Sequence, residues 1–163
     1  MQAAVIIGPR KSGKTTLLSL VAEELERRGK TVAAVKYSHH SLEQENTDAF
    51  WLRRPGRAVV NVAPGETVVF WPEELSFERI ASQMDADVLL LEGGDAPSRV
   101  PRILCLPEES SEAESYVKEN AGCPIMASVG GPVAAGRAPH FREADPASAE
   151  KLATLILERG AAV

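Results

Sequence analysis

Gly8-Pro9-Arg10-Lys11-Ser12-Gly13-Lys14-Thr15 satisfies every fixed position of G-x-x-x-x-G-K-[ST]. The chemistry such a run can do is the cradling of a phosphate chain. Glycines let a backbone curl until consecutive N–H groups converge on an anion. A helix that begins at the end of the loop adds the positive end of its dipole. Lys14 brings a compact ammonium to the β and γ phosphates, and the Thr15 hydroxyl suits a Mg²⁺ ion. Gly8, Pro9, Arg10, Lys11, Ser12, Gly13, Lys14, Thr15 and the adjoining Thr16 are the candidate nucleotide-binding residues. Arg10 and Lys11 read either as further positive charge at the rim or as solvated loop residues.

A phosphate loop that uses Mg²⁺ usually has a carboxylate nearby. Val88-Leu89-Leu90-Leu91-Glu92 is an apolar strand that ends in one, and open α/β sheets bind ligands beyond the carboxyl ends of their strands. Glu92 is therefore the first candidate and Asp95 the alternative. Gly93-Gly94 between them reads as a close backbone approach to phosphate or as a turn. Lys36-Tyr37-Ser38-His39-His40 follows the second predicted strand and lies at the same edge. Neighbouring residues on an extended chain point to opposite faces, so the two histidines are poorly placed to share a metal. They read as contacts to phosphate or substrate, or as a polar loop. Asp48 taken alone reads as a helix cap. Arg53, Arg54 and Arg57 form a basic knot around Pro55-Gly56, either a solvated face or a seat for an anion. Trp51 and Trp71 read as core or interface anchors rather than stacking platforms. Ser128-Val129-Gly130-Gly131 is a candidate lining for a base pocket.

The elements that must hold these residues follow from periodicity. Residues 3–7 are a continuous apolar run suited to a strand covered on both faces. Residues 14–28 carry Leu18, Val21, Ala22 and Leu25 at i, i+3, i+4 and i+7, one helical stripe, with Glu23–Arg27 and Glu24–Arg28 as i, i+4 pairs and Gly29 placed to close the helix. Strands are predicted at 31–35, 57–62, 66–71, 87–91, 102–106 and 124–129, the last of them ending the set. Ala63-Pro64-Gly65 makes a hairpin of the two middle ones. Helices are predicted at 74–84 and 110–120, and a final one is capped by Asp145, opened by Pro146 and ended by Gly160. Residues 133–143 have no period. The pattern predicts a three-layer α/β/α sandwich around a mostly parallel sheet, with an antiparallel hairpin mid-chain and residues 1–163 as a single domain.

Composition is ordinary for a globular chain: 163 residues, 44% hydrophobic and 25% charged, with 18 basic and 23 acidic residues for a net charge of −5. Mild acidity argues against nucleic acid as partner. No apolar run approaches the ~20 residues of a membrane span, and no secretory leader is evident. Cys105 and Cys123 are too few for a disulfide framework; they read as small buried hydrophobes in a reducing cytoplasm.

Taken together, these residues resemble the MobB family, molybdopterin-guanine dinucleotide biosynthesis protein B. The likeness rests on Ser12-Gly13-Lys14-Thr15-Thr16-Leu17, on Lys36-x-x-His39-His40, on Asp48 followed by Arg53 and Gly56, and on Leu91-Glu92-Gly93. It covers residues 3 to about 95 in order and spacing. The chain departs from the family's usual pattern at Asn46-Thr47, at Pro55-Gly56-Arg57 and at Gly94-Asp95. The resemblance implies a P-loop NTPase fold, GTP and Mg²⁺ as ligands, weak GTPase activity, a homodimer, and service to a MobA-like nucleotidyltransferase that attaches GMP to molybdopterin. It also implies that Lys14, Asp48 and Glu92 carry the chemistry and that Thr15, Asp48 and Glu92 hold the metal.

Slow hydrolysis is expected, because the sequence offers no evident arginine finger or water-positioning Gln; Arg53 is a candidate to act in trans across a dimer. Two other functions fit the same loop. One is a small-molecule kinase using ATP, for which Arg137 and Arg142 are the lid-like candidates. The other is a binding module switched by its nucleotide. No residue here reads guanine in preference to adenine.

Overall fold

The structure is a computed structural model that describes residues 1–38, 51–53, 55–94, 96–132 and 135–163. The elements run β1 (Gln2–Ile7), α1 (Lys14–Arg27), β2 (Val32–Lys36), β3 (Val59–Ala63), β4 (Glu66–Phe70), α2 (Phe77–Gln83), β5 (Val88–Glu92), β6 (Arg102–Cys105), α3 (Ser110–Glu119), β7 (Ile125–Val129), β8 (His140–Phe141), α4 (Pro146–Arg159) and β9 (Ala161–Ala162).

The main sheet has the order β2-β5-β1-β6-β7-β8, all parallel, and β9 pairs antiparallel with the start of β1. Alternation along β1 sends Ala4 and Ile6 to one face, where they join Leu17, Val21 and Leu25 of α1 and Leu152 and Ile156 of α4. Ala3, Val5 and Ile7 join Phe77 and Ala81 of α2 and Ala113 of α3 on the other. Both faces are covered, which is why β1 and β5 are apolar without alternation. This is the three-layer α/β arrangement with a mostly parallel sheet that the pattern predicts.

Local chemistry sets the helix ends. Gly29 adopts φ 75° after α1; its N–H bonds the Glu26 carbonyl and that of Lys30 the Leu25 carbonyl, a Schellman closure. Ser76 Oγ accepts from the Arg79 N–H, so α2 starts at Phe77 and the predicted start at 74 is too early. Asp145 Oδ1 accepts from the Ser148 N–H and Pro146 opens α4, as predicted. On α1, Arg27 pairs with Glu24 rather than with Glu23, because Glu24 also holds Arg28 and gathers both guanidinia on one carboxylate. Arg28 reaches on to Thr154 Oγ1 and the Glu150 carbonyl, tying α1 to α4.

The strand set and the place of the tryptophans differ from expectation. β7 is not the last strand: β8 lies parallel to it inside the segment without period, and β9 follows α4. Each is two residues long, below the length at which alternation can be read. The predicted antiparallel hairpin is present as β3–β4; it forms its own two-stranded sheet, leaving Val60 58% and Val62 73% exposed. Trp51 and Trp71 are not core residues; they are 60% and 37% exposed, and Trp71 lies under the Arg79 guanidinium. Cys105 is buried and Cys123 only half-buried; both are free thiols. None of the described helices is long and apolar enough to cross a membrane.

Candidate functional site

The loop joining β1 to α1 sits at the carboxyl end of the central strand. Lys11 and Gly13 both take left-handed backbone, φ 66° and 81°. That conformation is cheap for glycine and strained for lysine, a strain typical of ligand-gripping loops. Gly13 occupies the cap position of α1 without a side-chain cap, and the first turn carries no acid. The leading N–H groups of α1 are thus left uncapped by the helix's own residues. Gly8 is required for another reason: a Cβ there would overlap the Cys105 carbonyl of β6. Ser12 Oγ is buried and has no hydrogen-bond partner among the described residues. Burial pushes the Cys105 thiol up to about 12, so it stays protonated and inert beside the loop.

Lys14 Nζ donates to the Pro9 carbonyl at 2.7 Å, folded back across the loop. Thr15 Oγ1 donates to Glu92 Oε2 at 2.8 Å. Lys36 Nζ lies 3.0 Å from Glu92 Oε1 and 3.3 Å from Thr15 Oγ1. Glu92 is 7% exposed, and a carboxylate so buried is tolerable only when paired and hydrogen-bonded, as it is here. The register explains the convergence. Glu92 of β5 aligns with Ile6 of β1 on one side and with Lys36 of β2 on the other. The sequence places Lys36 at the ligand edge, at the end of a strand; its pairing with Glu92 comes from the parallel register of β2 and β5.

Gly93 and Gly94 both take positive φ, 70° and 75°, and a Cβ on Gly94 would overlap the Tyr37 ring. A cleft of about 360 Å³ opens beside Arg10 and Lys11. Its far wall is Leu106, Pro107 and Glu108 after β6, with Gly130 and Gly131 after β7. Arg142, just past β8, faces the same space, whereas Arg137 does not line it. Sequence reasoning missed Leu106 to Glu108, although their position directly after a parallel strand places them at the ligand edge.

Arg53 stacks on the Phe70 ring at 4.8 Å and Arg57 donates to the Leu52 carbonyl at 3.2 Å, so these two arginines brace the hairpin side. His39, His40, Asp48, Arg54 and Asp95 lie outside the described residues. Among the described residues no three His, Cys, Asp or Glu side chains gather as a metal cluster. The Thr15 hydroxyl and Glu92 carboxylate do fit a Mg²⁺ ion: both are hard oxygen donors, and they would hold it beside the loop.

Residues 3–129 match the family described as molybdopterin guanine dinucleotide synthesis protein B. The chain belongs to the MobB family. A Haemophilus influenzae protein named molybdopterin-guanine dinucleotide biosynthesis adapter protein is 32% identical over 124 residues, covering 69% of this chain and 69% of its own. The Escherichia coli K12 protein of the same name is 33% identical over 92 residues, 50% of this chain and 53% of its own. Among solved structures, Bacillus subtilis MobB superposes with a TM-score of 0.74 over 96% of this chain and 98% of that one, at 15% identity, a likeness of fold. A structure titled molybdopterin-guanine biosynthesis protein B gives 0.66 over 96% and 97%, at 25% identity. The family match spans the MobB phosphate loop, the Lys36 strand end and Glu92, and the structural likeness covers 96% of the chain.

Proposed function

We propose that this MobB chain is a nucleotide-binding adapter in molybdopterin guanine dinucleotide biosynthesis. It binds GTP with Mg²⁺, hydrolyses it weakly, and works as a cytoplasmic homodimer beside a MobA-like nucleotidyltransferase and molybdopterin. The adapter role rests on the names of the curated relatives. The nucleotide site rests on one observation: the Thr15 hydroxyl and the buried Glu92 carboxylate meet at 2.8 Å beside a loop that matches the phosphate-cradling motif in full.

In this reading residues 8–16 cradle the phosphates. Lys14 leaves the Pro9 carbonyl for the β and γ phosphates, and Thr15 and Glu92, with Asp48 from the family pattern, hold Mg²⁺. Mg²⁺ bound there supplies charge neutralisation for phosphoryl transfer. The cleft lined by Gly130, Gly131 and Arg142 takes the nucleoside end.

Melting curves with GTP, ATP or neither, each with Mg²⁺, test the reading. Ligand at about 100 times its Kd stabilises by about 2.7 kcal/mol, a shift of roughly 5–10 °C in a chain of this size. A shift with GTP alone supports it, and no shift with either nucleotide overturns it. One observation favours a second reading: Arg142 faces the cleft beside Arg10, where an ATP-dependent small-molecule kinase would need a lid arginine. A shift with ATP alone, followed by phosphate transfer to a metabolite rather than to water, would put that reading in place of the first.

A further inference from the structure

Glu92 is neutralised by Lys36 and not by the loop lysine. Lys14 is engaged with the Pro9 carbonyl, while Lys36 Nζ is within hydrogen-bonding distance of Glu92 Oε1 and Thr15 Oγ1 together. The proton inventory closes without conflict. Thr15 gives its single hydroxyl proton to Glu92 Oε2, so the lone pairs of Thr15 Oγ1 are open to the Lys36 ammonium. Those lone pairs and the Glu92 carboxylate are what a divalent cation would also need. An ammonium and a metal ion therefore compete for one electrostatic position.

We propose that Lys36 is a resident counter-ion of the metal position, held between Thr15 and Glu92, so that a divalent cation enters only by displacing its ammonium. This rests on reading the loop as a nucleotide and Mg²⁺ site. Two features suit Lys36 to the exchange. Its Cα is fixed by register opposite Glu92, whereas its side chain is 57% exposed and can swing on a four-carbon stem without disturbing the core. A nucleotide offers the displaced ammonium a new anionic partner, so metal and nucleotide assist each other's binding. Metal alone meets an occupied position and binds weakly.

The test is titration of nucleotide-free protein with Mn²⁺, free ion being followed by its electron paramagnetic resonance signal. Lys36→Met and Lys36→Gln are compared with wild type; the position is exposed, and two chemically different variants guard against a folding defect in either. Removing one cation a few ångströms from the site is expected to tighten Mn²⁺ binding about tenfold in both. Unchanged or weaker binding in both variants overturns the proposal. So does a Lys36→Met/Glu92→Gln double variant that binds as tightly as Lys36→Met, because the ion would then sit elsewhere. A parallel melt of wild type with GTP or ATP and Mg²⁺ judges the nucleotide reading separately: its failure leaves the Mn²⁺ result intact, and failure of the Mn²⁺ result leaves nucleotide binding intact.

Discussion

Thr15 Oγ1 donates to Glu92 Oε2 at 2.8 Å across 77 positions of sequence. The bond joins the first turn of α1 to the last residue of β5, and it exists because β5 runs parallel beside β1, which feeds the loop. Thr15→Ala and Glu92→Gln should each lower Mg²⁺-dependent triphosphate affinity at least about tenfold, the scale seen when groups that orient metal ligands are lost. Isothermal titration with Mg²⁺ and with chelator checks this. Wild-type affinity in both variants would remove the pair from any metal role.

Gly8 faces a fixed obstacle. A methyl group there meets the Cys105 carbonyl and its Cβ, backbone and buried side chain that have nowhere to go. Gly8→Ala should cost about 1–3 kcal/mol, the usual penalty of overpacking, or a drop of roughly 3–10 °C in Tm. Gly122→Ala, with open space around it, is the control. Equal Tm values for the two variants would contradict the assigned cause.

Glu24 is held at about 2, below its usual 4.5, by the hydrogen bond from Arg27 first and from Arg28 second. A carboxyl depressed in the folded state stabilises fully above its unfolded pKa, and that contribution is lost as pH falls through the folded one. The contribution of Glu24 should therefore be present above pH 4.5 and fade toward pH 2. Glu24→Gln should flatten the acid limb of a urea-melt series over that window. The effect should be modest, since Arg27, the larger contributor, is mostly exposed and solvent screens its pairing. An acid limb identical to wild type would show that the pair carries no folding free energy.

The proposed homodimer has a seat available in the hairpin. Val60 and Val69 face each other across β3 and β4, with Val62 two residues along the same face, and all three are exposed. Neither hairpin edge pairs with the main sheet among the described residues, and unpaired edges with apolar side chains invite a second copy. Val60→Asp/Val62→Asp should shift sedimentation from dimer to monomer at micromolar concentration without lowering Tm of the monomer. A dimer that persists in this variant places the interface elsewhere.

Local chemistry decided much of this protein before tertiary structure entered. The phosphate loop is written in eight contiguous residues. The ends of α1 and α4 are written in Gly29, Asp145 and Pro146, and the buried strands in runs such as residues 88–91. These features depend on neighbours within a few positions, so residue order suffices. Glu92 was legible too, because any acid at the end of a buried parallel strand reaches the ligand edge. The pairing of Lys36 with Glu92, the choice of Arg142 over Arg137 at the cleft, and the two-residue strands β8 and β9 were not. Each depends on which strands lie side by side and in what register. The strand order β2-β5-β1-β6-β7-β8 is set by the burial of both sheet faces under helices, α1 and α4 on one side and α2 and α3 on the other among the described residues. That packing is a property of the whole chain, and it alone brings Lys36 to within 3.0 Å of a carboxylate 56 residues away.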